Sequence, residues 1–306
     1  MVDNKNKVMI VGTGNVGMSY AYALLNQRTG TDELVLVDLD NEDAEGEALD
    51  LRNGLGFTPG TMKIRSGGYK DAHDCDLVVI TAGAKQAEGE TRIDLLKKNA
   101  AILKPMVEEI VKSGFKGIFL LVTNPVDVMT YLTQKYSGFD YSRVIGSGTV
   151  LDTSRLMYAV GHLMDVNPKS VHGYILGEHG DSGFPAWSLL DVGLKSGMDL
   201  LDAGQRDEVA RRVRDEAYRI IEKKGSTHFG IGACLAYITS VIFSNSKTIL
   251  PLSNYDAWSG VYYGYPCVLS REGVTGRFGV KLIVEEQEQL DRSIGVLKKA
   301  IAEVEG

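Results

Sequence analysis

The chain has 306 residues, 44% hydrophobic and 24% charged, with 33 Lys plus Arg against 40 Asp plus Glu and a formal net charge of −7. That hydrophobic share excludes a disordered chain, and the excess of acids argues against a nucleic-acid or anionic-membrane surface, either of which needs a basic face. At ~150 residues per domain the length predicts about two domains, and three well-separated cysteines (Cys75, Cys234, Cys267) with no CxxC pairing read as free thiols in a reducing cytosol.

In chain order, Met1 to Lys7 lacks the apolar stretch of a secretory signal, and no later run reaches the ~18 apolar residues of a membrane span, so a cytoplasmic protein is expected. Lys7–Val11, Glu33–Asp38, Cys75–Ala82, Gly117–Thr123 and Arg143–Gly146 are short apolar strands. Between them, Met18–Gln27, Glu42–Leu51 and Thr91–Ser113 have helical patterns. Continuous apolar strands alternating with helices predict a parallel sheet covered on both faces, and right-handed crossovers make it a doubly wound α/β sheet of the Rossmann type. The pattern changes after residue 146. A helix over Thr153–Met164 leads to the segment Ser170–Gly177, followed by helices over Asp202–Lys224 and Gly232–Phe243. Antiparallel strands are expected over Tyr262–Leu269 and Val280–Val284, with a closing helix over Glu288–Val304. The predicted division is therefore a dinucleotide-binding domain, 1–146, and an α+β substrate domain, 147–306. No repeat of 20–50 residues is visible, which excludes solenoids and propellers.

Gly12-Thr-Gly14-Asn15-Val16-Gly17 is a GxGxxG between the first strand and the first helix. Gly12 permits the tight turn, Gly14 the approach of a pyrophosphate to the backbone, and Gly17 close helix–strand packing; the helix start favours the phosphates. Asp38 ends the second strand, where an acid meets ribose hydroxyls and repels a 2′-phosphate, so NAD is expected rather than NADP.

Four segments carry reactive side chains. Thr81 to Leu95 leaves a strand end and contains Gly83, Gly89 and Arg92, which reads either as a hinged lid or as a surface loop. Asn124, after another strand, either bonds a ligand or belongs to a simple Asn-Pro turn. Asp152 and Arg155 share a helix face, and taken alone they are an intrahelical ion pair. Among the five histidines only His179 sits between glycines with acids beside it, in Leu-Gly-Glu-His-Gly-Asp181.

Taken together, GTGNVG, the Asp38 strand, AGAKQAEGETR, TNPVD, VLDTSR, LGEHGDS and KGSTHFGIG resemble the L-lactate/malate dehydrogenase family, in its order and at its spacing over nearly the whole chain. The resemblance implies hydride transfer between NAD and a 2-keto or 2-hydroxy acid. His179 is the implied acid/base, Asp152 orients it, Arg155 clamps the substrate carboxylate and Arg92 polarises the carbonyl. Asn124 orients substrate and nicotinamide, and Thr227 lines the pocket. The implied cofactor set is Gly12, Gly14, Asn15, Val16, Gly17, Asp38, Ala82, Gly83 and Asn124. No metal is implied. Self-association, as a tetramer, is.

Within this family the residue six before the loop arginine reads the far end of the substrate, and here it is Gln86. Malate-specific relatives carry arginine there, so a neutral glutamine with Glu88 nearby favours pyruvate and lactate over oxaloacetate, while an inward-turned Lys85 would partly restore the cation. Malate dehydrogenase and a broader L-2-hydroxyacid dehydrogenase are the alternatives. Many bacterial members bind fructose 1,6-bisphosphate through a histidine and an arginine. His172 matches the first, but Met157 stands at the second, so weak or absent activation is expected. A metal- and NAD-using glycosidase would need a Cys/His pair that no site-like segment offers. A catalytically silent NAD-binding protein would have no use for His179, Asp152, Arg155 and Arg92 together.

Overall fold

Six parallel strands form the frame of the first half in a computed structural model that describes residues 6–84 and 91–305. They are β1 (Lys7–Val11), β2 (Glu33–Val37), β3 (Lys63–Ser66), β4 (Leu77–Ile80), β5 (Ile118–Leu121) and β6 (Val144–Gly146). Between them run α1 (Asn15–Asn26), α2 (Asn41–Gly54), α3 (Arg92–Lys112) and α4 (Val126–Ser137). In β1, β4 and β5 every residue is buried, because both faces are covered. Alternate side chains serve opposite cores. Met9, Val11, Val78, Ile80, Phe119 and Leu121 join one cluster, while Val8, Ile10, Leu77, Val79, Ile118 and Leu120 join the other.

The second half contains α5 (Val150–Leu163), β7 (Val171–His172), β8 (Ile175–Leu176), β9 (Phe184–Pro185), β10 (Asp191–Val192), β11 (Lys195–Ser196) and α6 (Gly197–Leu200). After these come α7 (Ala203–Lys224), α8 (Phe229–Ser244), β12 (Thr248–Asp256), β13 (Val261–Ser270), β14 (Gly273–Arg277) and α9 (Val284–Glu305). The long α7 starts at a capping box between Asp202 and Gln205 and stops at Gly225, whose φ of 83° ends the helical path. Its buried Val209 and Val213 join Leu156 and Val160 of α5 in a third core.

One sheet joins the two halves. The strand order is β14-β13-β12-β6-β5-β4-β1-β2-β3, with β12 antiparallel to β6 through Ser253 opposite Gly146. The strand expected over Val280–Val284 is instead the approach to α9, with the Val280 N–H donating to Tyr265 Oη at 3.1 Å. The partner of β13 on that side is β14, a strand with two glycines and a register shift opposite Val268/Leu269. β3, α4 and β12 were not anticipated. Each departs from the apolar pattern of the other elements: only Ile64 of β3 is buried, α4 follows an Asn-Pro turn signal, and β12 carries Pro251, Ser253 and Asn254.

This topology brings the ends of β1, β4 and β5 together at the point where strand order reverses, the usual ligand crevice of such sheets. At the seam, Gly148 takes a φ of +53°, and a Cβ there would lie 2.2 Å from the Ser253 nitrogen. Glycine alone lets the start of α5 pass so close to β12.

Candidate active site

The glycine turn is built by close approach. A Cβ on Gly12, where φ is +105°, would meet the Ala82 nitrogen at 2.6 Å, and one on Gly17 would meet the Gly12 carbonyl oxygen at 2.0 Å. Gly14 differs, since a Cβ there would meet nothing within 4 Å. It caps α1 in an extended conformation without a side-chain partner, leaving the positive helix end open, with Asn15 exposed and Val16 half-buried. Asp38 Oδ2 accepts from the Thr13 backbone at 2.7 Å and its hydroxyl at 2.9 Å, and Oδ1 accepts from Leu39 N–H at 2.7 Å. Burial acts to raise this carboxyl, but the Thr13 and Leu39 bonds outweigh it and hold it below the usual carboxylate range. The acid is thus anionic and fixed against the turn.

Asn99 ties the two neighbouring strand ends together. This buried side chain accepts from Ala84 N–H at 2.8 Å and donates to the Asn124 carbonyl at 3.0 Å. Thr123 Oγ1 donates to the Ala82 carbonyl at 2.6 Å, and a Cβ on Gly83 would lie 2.7 Å from Thr123 Cγ2. The Asn124–Pro125 bond is cis, and Asn124 itself is exposed at the crevice.

The second cluster converges on one carboxylate. In the first turn of α5, Asp152 accepts from Arg155 Nη1 at 2.8 Å through Oδ1. Its Oδ2 lies 2.5 Å from Nδ1 of His179, which comes from the loop between β8 and β9. Burial acts to raise the Asp152 carboxyl, but His179 and Arg155 prevail and lower it. The attraction of Asp152, opposed by burial, lifts His179 to about 9. With Nδ1 committed, the free position of the ring is Nε2, which has no hydrogen-bond partner among the described residues. The Asp152–Arg155 ion pair is real, and it coexists with the histidine contact.

Thr227 lies half-buried between α7 and α8, and the adjacent Ser226 Oγ accepts from Asn15 Nδ2 at 3.2 Å, linking this segment to the glycine turn. Arg92 opens α3 behind a Thr91–Asp94 capping box. Its side chain, like Lys85, Gln86, Glu88 and Gly89, lies outside the described residues. Among the described residues no cluster of three or more His, Cys, Asp or Glu is placed to hold a metal, and the three cysteines are free.

Four structural partners escaped the sequence reading. Besides Asn99, they are Asp127, which accepts from the His179 backbone N–H at 2.8 Å, Ser253, which donates to Asp127 at 2.5 Å, and Ser293 of α9, whose Oγ accepts from Glu178 N–H at 2.7 Å. Only Asp127 gave a signal, as an acid within the same short motif as Asn124.

A dinucleotide turn beside a His–Asp–Arg cluster defines a nucleotide-dependent oxidoreductase site. The family model for the lactate/malate dehydrogenase NAD-binding domain matches residues 6–146, and that for the lactate/malate dehydrogenase alpha/beta C-terminal domain matches residues 149–306. The chain belongs to the lactate/malate dehydrogenase family. It is 49% identical to an L-lactate dehydrogenase of Halalkalibacterium halodurans over 96% of both chains, and 46% identical to L-lactate dehydrogenase 1 of Bacillus cereus over 98% of both. Among solved structures, a lactate dehydrogenase from a Medee basin deep-sea metagenome library superposes with a TM-score of 0.96 at 48% identity. The minor L-lactate dehydrogenase of Enterococcus mundtii does so at 0.96 and 41% in its ligands-bound form, each of the two structures covering 99% of both chains.

The glycine geometry separates two kinds of damage. Gly17→Ala should destabilise the protein by about 1–3 kcal/mol in thermal melts, since helix and turn must part. Gly14→Ala should melt like the parent and bind NADH about tenfold more weakly by fluorescence titration. Equal melting losses in the two variants would contradict this division.

Proposed function

We propose that this chain is an NAD-dependent L-lactate dehydrogenase, interconverting pyruvate and L-lactate. The observation that carries the reading is the single Asp152 carboxylate joined to both His179 and Arg155 beside an open dinucleotide turn.

NAD fits the residues present. Gly12, Gly14, Asn15, Val16 and Gly17 would hold the pyrophosphate at the open end of α1, Asp38 the ribose, and Ala82, Gly83 and Asn124 the nicotinamide half. When bound, it supplies the hydride exchanged with the substrate carbon. Arg155 binds the substrate carboxylate through the part of its fork not given to Asp152. Protonated His179 donates from Nε2 to the carbonyl oxygen of pyruvate, and the neutral ring takes the proton back from lactate. Asp152 fixes the tautomer and stabilises the imidazolium. Arg92, at the start of α3, would polarise the carbonyl and stabilise charge on its oxygen. Asn124 orients the substrate and Thr227 lines the pocket. In this division of labour, residues 1–146 hold the cofactor and residues 147–306 the proton donor and carboxylate clamp.

The choice of substrate rests on Gln86, which offers no cation to the second carboxylate of oxaloacetate. Cytoplasmic NADH reoxidation at the end of fermentative glycolysis and a homotetrameric assembly belong to the same reading. No described helix is long and apolar enough to cross a membrane. Self-association is supported by Tyr22 on α1 and by Phe229 and Tyr237 on the adjoining α8, all exposed.

With NADH, kcat/KM for pyruvate should exceed that for oxaloacetate by ~100-fold or more, and Gln86→Arg should move the preference toward oxaloacetate. A ratio near one would instead favour malate or broader 2-hydroxyacid dehydrogenation. Proton donation requires charged His179, so pyruvate reduction should hold through neutrality and fall as pH rises through about 9, while lactate oxidation rises over the same interval. A reduction rate that has already halved near pH 6.5 as the pH rises would contradict the assignment. His172 is exposed, and Met157 packs against the third core instead of offering a cation. Saturation curves should therefore be nearly unchanged by fructose 1,6-bisphosphate, and a large drop in pyruvate KM would refute this.

A further inference from the structure

Asp127 is among the most deeply buried charged side chains of the described protein, 2% exposed, and the chemistry above does not use it. It lies in the first turn of α4, three residues after Asn124, where the helix end favours an anion. Oδ2 accepts from the His179 backbone N–H at 2.8 Å, and Oδ1 accepts from Ser253 Oγ at 2.5 Å. Ser253 is fully buried and sits opposite Gly146, where β12 joins the parallel sheet. One carboxylate therefore connects the end of β5, the sheet seam and the loop that carries the proton donor.

We propose that Asp127 is a positioning residue for proton transfer: ionised, it pins the His179 backbone to α4 and adds a second negative charge near the imidazole, so that the ring stays aligned for donation. This rests on the reading of His179 as the proton donor. The backbone bond decides where the ring can sit, because His179 lies between Gly177 and Gly180 in a loop with little side-chain bulk of its own. From the other side the loop is held by Ser293, which accepts from Glu178 N–H.

Among the described residues the charged groups that act on His179 are Asp152 and Arg155 on α5 and Asp127 on α4, with Glu178 beside it on its own loop. On α8, Cys234 is pushed up to about 12 by burial and stays neutral. Among the described residues the titratable groups that act on Asp127 are His179 and Glu178. Burial raises the Asp127 carboxyl to about 6, with the Ser253 and His179 bonds acting in the opposite direction, so it is charged at neutral pH.

The test compares two variants across pH with pyruvate and NADH. Asp127→Asn keeps the volume and removes the charge, while its amide oxygen can still accept from His179 N–H and its amide nitrogen can donate to Ser253 Oγ. It should lower kcat about tenfold or more while leaving pyruvate KM and NADH Kd within about twofold, and it should move the alkaline limb to lower pH by ~0.5 unit or more. Ser253→Ala keeps the charge and removes a bond that favours it, so the acid limb should move to higher pH; this variant decides the matter if the first does not fold. Unchanged limbs and kcat overturn the proposal. So does a loss of activity in which KM and Kd rise together while the limbs stay in place, since that marks a purely structural role. His179→Asn in parallel separates the two ideas: if it retains activity, the proton-donor reading itself fails, whatever Asp127 does.

Discussion

The Asp152 carboxylate stands between a guanidinium and an imidazole, and the site depends on that placement. A buried carboxylate without cations would be neutralised by protonation, and a buried imidazolium without an anion would lose its proton. Asp152 keeps the imidazole charged, and the two cations together keep Asp152 ionised. The geometry also separates the two contacts, because Asp152 uses one oxygen for Arg155 and the other for His179 Nδ1, leaving His179 Nε2 and the rest of the guanidinium uncommitted to it. Loss of the carboxylate would release Arg155 and His179 at once.

The sheet makes this convergence possible. Asp152 and Arg155 reach the crevice because α5 begins right after β6, and Gly148 allows that turn to press against β12. The histidine loop is fixed from α4 through Asp127 and from α9 through Ser293. On the cofactor side, Asn99 and Thr123 join the ends of β4 and β5, while Asp38 braces the glycine turn. The glycine turn and the His179–Asp152–Arg155 cluster are thus held by elements that leave one continuous sheet.

Much of this was legible in the chain because burial leaves a strong sequence trace. Val8–Val11 and Leu77–Ile80 are apolar throughout since both faces of the sheet are covered, and the first and last glycines of the GxGxxG reflect contacts that exclude a Cβ. His179, Asp152 and Arg155 could be picked out by residue type and setting, and the family resemblance joined them. Elements held by mixed contacts left weaker traces. β12 interrupts its apolar run with Pro251 and polar residues that serve the seam, and β14 substitutes glycines for packing side chains. The apolar Val280–Val284 imitates a strand, although Val284 is 70% exposed and already opens α9. Asn99 and Ser293 were silent for a different reason: a side chain that bonds the backbone of a remote segment has no local pattern to betray it.

The most direct test of the central claim is the titration of His179 in the free protein, followed by NMR on the labelled imidazole. A midpoint near 9, with the proton on Nδ1 retained when the ring is neutral, is the result expected of a ring held by Asp152. A midpoint near that of an unperturbed histidine, about 6.5, would mean that the carboxylate does not govern the ring.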